Sequence, residues 1–229
     1  MALGNTEKIF AERGVLREGE RELSERTFNL IIGGMLLWGF LLNYLIVALF
    51  ERNVGSLLAT TGPWGFLIGY IVLVLIGNWL IGAKGPALSF LGYNLIALPV
   101  GVVVCLCVEG IPTSTAKTAV LITAIVTLSF MIAATVFPDF FLGLGRTLFF
   151  GLLIALAAEL VVTFIFRVRS SVFEWIFVGL FSLYIGFDWS RANTCARTLD
   201  NAIDLSASLY LDIINLFLRV LSIIAKHKD

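Results

Sequence analysis

The 229 residues carry 59% hydrophobic and only 14% charged side chains, with a mean hydropathy of +0.97, far from the balance of a soluble domain, which is nearly half apolar and a quarter charged. Sixteen basic residues offset sixteen acidic ones, and with no basic tract or basic-aromatic stripe the chain lacks an electrostatic footprint for nucleic acid. The apolar residues come in long unbroken runs, which points to an all-α, polytopic membrane protein with a single domain over 27–229 and the lipid bilayer as its solvent.

Along the chain, residues 1–26 mix Glu7, Lys8, Glu12, Arg13, Arg17, Glu18, Glu20, Arg21, Glu22, Glu25 and Arg26. They read as a solvated, cytoplasmic helix or tail, too long and too acidic for a signal peptide. Apolar runs follow at 28–50, 64–83, 87–108, 119–137 and 148–166, each near the roughly 20 residues that a membrane-crossing helix needs. Two further runs, 172–189 and 203–225, are less pure because they carry Glu174, Asp188, Asp204, Asp212 and Arg219. Seven crossings are therefore expected.

The breaks are short and rich in turn chemistry: Gly62-Pro63, Gly85-Pro86, Gly110 to Pro112, Pro138-Asp139 and Ser170-Ser171. Neighbouring helices are thus expected to be antiparallel and packed together. Gly65 with Gly69, Ala155 with Ala158, and Gly179, Ser182 and Gly186 recur at helical spacing, a pattern that lets membrane helices approach closely.

With seven spans, nine basic residues fall on the N-terminal side (Lys8, Arg13, Arg17, Arg21, Arg26, Lys84, Arg146, Arg191 and Arg197) and seven on the other. This bias favours a cytoplasmic N-terminus, and an odd number of spans then places the C-terminus outside. The compact termini suggest a bacterial inner membrane, with an organelle membrane as the alternative.

The single histidine, His227, sits three residues from the C-terminal Asp229. A serine-histidine or histidine-metal centre inside the membrane cannot be built from it, which excludes a rhomboid-type serine protease. Cys105 and Cys107 lie in an apolar run and Cys195 in a polar connector, spacing that fits neither a disulfide framework nor zinc, so they read as small packing residues.

Intramembrane charge is costly, so an ionisable residue at depth is a functional candidate that ought to face protein or water. The candidates are Glu159, Asp188, Asp212 and Arg219. Asp188 and Asp212 are 24 residues apart, centred on the polar connector 190–201, so an antiparallel hairpin puts them at one depth. In the last span Asp204, Ser208, Asp212, Asn215, Arg219 and Ser222 step by three or four residues, a polar stripe on one helical face. Lipid would not tolerate that stripe, so the seventh helix is expected to be central. Two carboxyls together at low dielectric cannot both ionise cheaply, which makes a proton-holding, pH-sensitive latch reasonable. The plainer reading has Asp188 capping its helix and Asp212 bonding Asn215 or Arg219. Glu159 reads as a buried, protonated hydrogen-bond donor or a packing residue, and Arg219 as snorkelling to the interface.

The stretches Ser182-Leu-Tyr-Ile-Gly-Phe-Asp188 and Ser208-Leu-Tyr-Leu-Asp-Ile-Ile-Asn-Leu-Phe217 resemble the C-terminal signature of the Bax inhibitor family. The match is sharp over about the last fifty residues; the earlier spans agree only in number, length and short connectors. The resemblance implies a seven-helix bundle with the last helix in the middle, and a proton-sensitive calcium leak gated by an aspartate pair on the sixth and seventh helices, here Asp188 and Asp212. In bacterial relatives an arginine near the end of the second helix engages the pair; here the nearest basic residue is Lys84, the candidate latch. Calcium, as transported ion rather than cofactor, would meet weak oxygen ligands from Asp188, Asp212, Asn215 and nearby backbone.

The leading expectation is therefore a passive, pH-gated calcium leak without enzymatic activity, moving calcium with protons as its regulator. Three alternatives stand beside it. An intramembrane aspartyl protease also sets aspartates on two adjacent helices, but its Gly-x-Gly-Asp motif is missing, since Gly186-Phe187 precedes Asp188. A proton-coupled transporter lacks an evident inverted repeat or broken helix pair. A regulatory protein of cell survival would need protein partners that nothing in the sequence names.

Overall fold

The computed structural model describes residues 21–50, 54–83, 85–167 and 171–226. Regular structure among them is helical: α1 (Glu25–Phe50), α2 (Val54–Gly82), α3 (Pro86–Val108), α4 (Thr113–Val136), α5 (Pro138–Gly143), α6 (Gly145–Phe164), α7 (Ser171–Thr194) and α8 (Leu199–Lys226). All but the six-residue α5 are long and apolar enough to cross a bilayer, which gives the seven expected spans.

The helices start and stop for local reasons. Ser24 accepts a hydrogen bond at Oγ from the Thr27 backbone N–H at 3.2 Å, so it caps α1; Glu25 and Arg26, expected in the charged tail, already belong to this helix. Most of that tail lies outside the described residues. Pro86 opens α3 after Gly85, whose φ of 130° suits only glycine. Gly62-Pro63, expected as a break, does interrupt the helix: within α2 a short segment before Gly62 and the span from Pro63 onward meet across a kink. Gly62 takes φ 68° and ψ 161°, a positive φ that glycine permits, and the proline after it disfavours helical geometry there and removes one ladder hydrogen bond.

The largest shift from expectation lies before the last span. The polar stretch 190–201 is mostly helical: α7 runs to Thr194 and α8 begins at Leu199. The Thr198 hydroxyl accepts from the Asn201 backbone N–H at 3.1 Å and caps α8. Low hydropathy at these positions reflects polar side chains on continuing helices.

The chain packs as two units. The first comprises residues up to Glu109 together with Thr194–Ser208. In it α3 lies against α1 and α2. A Cβ on Gly77 of α2 would sit 2.8 Å from the Gly92 carbonyl oxygen of α3, and one on Gly92 would sit 2.5 Å from the Gly77 oxygen, so this glycine pair sets the helix crossing. Gly65 and Gly69, expected at a helix contact, make no close one among the described residues: an added methyl would meet Thr61 of the same helix at the first and nothing within 4 Å at the second. Tyr93 donates its hydroxyl to the Met35 carbonyl at 2.7 Å, and Ser89 donates to Asp200 at 2.7 Å, tying α3 to α1 and to the first turn of α8.

The second unit comprises Gly110–Asn193 and the chain from Leu209 onward. Gly186 of α7 gives way to the Phe141 ring of α5, and Gly145 of α6 to Phe187; Gly179, by contrast, meets nothing. The α8 helix contributes to both units. More than half of its apolar stretch, 56%, is buried, against 6% for α2. Between its exposed ends, Leu199 and Lys226, every residue is buried or partly buried, so the polar stripe is kept from lipid as expected. Of the cysteines, Cys105 is buried, Cys195 partly so, and Cys107 exposed. Two residues apart on a helix point to nearly opposite sides, so only one of Cys105 and Cys107 can pack inward.

Candidate functional site

The second unit brings Asp188 and Asp212 together, one from α7 and one from α8, close enough for their carboxyl groups to be electrostatically coupled. Both are buried, at 5% and 8% exposure. Two carboxyl groups side by side at low dielectric repel one another when both are ionised. Asp188 does not cap its helix, since α7 continues to Thr194. It is held in place by its neighbours: Trp189 donates from Nε1 to Thr135 Oγ1 at 2.9 Å and Ser190 donates to the Ala134 carbonyl at 3.3 Å, both on α4.

Arg191, one turn beyond, donates from Nη1 to Asp188 Oδ1 at 2.7 Å, and its guanidinium lies 5.4 Å from the Phe187 ring centre. Its position in the last turn of α7 also suits the negative end of the helix. Tyr184, one turn before Asp188, is in electrostatic contact with both aspartates. On Asp212, Oδ2 is buried without a hydrogen-bond partner. The pair is thus satisfied on the Asp188 side by a cation, while Asp212 keeps one open acceptor.

A second polar cluster lies on α6, α7 and the later part of α8. Arg219 donates from Nη1 and Nη2 to Glu159 at 2.7 and 3.0 Å, and from Nη1 to Glu174 Oε2 at 3.1 Å. Ser222 and Lys226 both donate to Glu174 Oε1, at 2.8 and 3.1 Å. The Arg219 guanidinium stacks 4.0 Å above the Phe177 ring. This overturns the snorkelling expected of Arg219: two acids from neighbouring helices converge on it, so pairing inside protein replaces escape to the interface. Glu159 is accordingly an ion-pair partner rather than a lone buried acid.

Other predicted residues play smaller parts. Asn215 turns its amide onto its own helix, donating to the Leu211 carbonyl at 2.8 Å, and Ser208 is partly buried one turn before Asp212. Neither Asn215 nor Arg219 bonds Asp212. Lys84 and His227 lie outside the described residues. Among the described residues no group of three or more His, Cys, Asp or Glu side chains converges as a metal site, so a cation at the Asp188–Asp212 pair would meet two carboxylates at most.

A family model described as inhibitor of apoptosis-promoting Bax1 matches residues 20–229, nearly the whole chain. The protein belongs to the Bax inhibitor family. Two relatives, both described as uncharacterized proteins of Helicobacter pylori from different strains, are 34% identical over 91 residues. That is 38% of this chain and 37% of each relative, so the chain matches little more than a third of their length. No solved structure matches.

In this Bax inhibitor family protein the sequence reading missed Arg191, Tyr184 and Glu174. Arg191 had a signal: it stands three residues after Asp188, the spacing of a helical ion pair, but it fell in a stretch taken for a connector. Glu174 had a weaker one, as an acid in an apolar run with Arg219 as an eventual counter-charge.

Proposed function

We propose that this Bax inhibitor family membrane protein is a passive, pH-sensitive calcium leak whose gate is the Asp188–Asp212 pair. The observation that carries the reading is the juxtaposition of two buried carboxyl groups, one on α7 and one on α8. A proton held between the two carboxyls would let them stay together; its loss sets two negative charges face to face in a low-dielectric setting and biases the helices toward another arrangement. Arg191 takes the latch role that the resemblance assigned to a basic residue, because it already holds Asp188. Carboxylate oxygens at the pair suit a hard cation, and two of them give the weak, transient contact that a leak requires. The bias of basic residues supports a cytoplasmic N-terminus.

The test is calcium entry into proteoliposomes carrying an entrapped indicator, measured across pH. The wild type is expected to show one pH-dependent step in flux. D188N and D212N keep a hydrogen-bonding side chain but lose the shared proton, so each is expected to pass calcium with no such step. Absence of flux at every pH would overturn the reading.

A further inference from the structure

A cavity of about 280 Å³ opens beside the second polar cluster and is lined by Glu159, Thr163, Phe173, Glu174, Ser222 and Lys226, among others. Its walls offer two carboxylates and two hydroxyls, the oxygen donors that hard cations choose. Those carboxylates are already met by cations of the chain itself, Arg219 and Lys226. Arg219 and Glu159 are about a quarter exposed and Lys226 43% exposed, so water reaches the cluster. Glu174 lies 14 residues before Asp188 on α7, about 21 Å along the helix, so this is a separate station from the aspartate pair.

We propose that Arg219 is a tethered cation that gates this cavity, competing with the permeating calcium for Glu159 and Glu174. The proposal rests on the leak reading and adds to it a second control point that sets cation access through charge. Glu159, Glu174, Arg219 and Lys226 sum to no net charge. Removing Arg219 leaves one excess negative charge, and removing Glu159 one excess positive charge. A mere structural clamp behaves differently, since breaking the same ion pair from either side loosens the same three helices.

Calcium flux in proteoliposomes is therefore compared in R219Q, E159Q and the E159Q/R219Q double variant. R219Q is expected to raise flux and E159Q to lower it, each by roughly tenfold, the lower end of what local charge does to counter-ion concentration in a cleft. The double variant returns toward wild type, and R219K, which keeps the charge, stays near it. Flux moving the same way in R219Q and E159Q, or unchanged in both, overturns the gate while leaving the leak reading intact. The calcium-induced rise in melting temperature of the detergent-solubilised variants is the second measurement, larger than wild type in R219Q and smaller in E159Q. Those opposite shifts in a protein without flux would overturn the leak and keep the cavity as a cation site; equal shifts would overturn the gate.

Discussion

Two arginines inside apolar helices end up in different electrical roles because of what surrounds them. Arg219 is gripped by two glutamates and stacked on Phe177, whereas Arg191 has one aspartate and the ring of Phe187. A positive charge beside a carboxyl favours its ionised form. Removing it in R191Q is expected to shift the pH step of calcium flux, while R191K holds the step near wild type. An unmoved step in R191Q would show that Arg191 has no part in the gate. The Asp188–Arg191 spacing was visible in the sequence, but the Glu159–Arg219 pair, 60 residues apart, was not: no local pattern says that α6 and α8 put these side chains together.

At the scale of elements, the packing between α2 and α3 depends on the absence of two side chains. Gly92→Ala places a methyl 2.5 Å from the Gly77 carbonyl oxygen and 2.9 Å from Ile81 Cγ1, so the helices must separate. The expected cost is about 1–3 kcal/mol, read as a lower melting temperature in detergent. Gly69→Ala meets nothing within 4 Å and is expected to leave stability unchanged or slightly improved, since alanine favours helix. Equal behaviour of the two variants would contradict the close crossing. Small residues at helical spacing are common to both sites; which pair lies at a contact depends on how the helices cross, and that is why Gly65 and Gly69 misled.

For the molecule as a whole, seven spans and the bias of basic residues make a directional prediction. A phosphatase reporter that matures only outside the cytoplasm is expected to be active when fused after Asp229 and inactive when fused before Met1. The reverse pattern, or activity at both ends, would invalidate the orientation derived from the loop charges.

Hydropathy alone determined the number of spans and their approximate limits, because lipid demands an apolar surface and an internally satisfied backbone over a fixed thickness. The sequence also placed Asp188 and Asp212 at one depth and kept the polar face of α8 away from lipid, since both follow from helical periodicity and one short hairpin. Tertiary structure decided the partners. Asp188 takes Arg191 because α7 runs on through polar residues, and Arg219 takes Glu159 and Glu174 because three helices converge there. Charge pairing between helices depends on which faces meet and at what height, and that is set by the fit of many side chains at once.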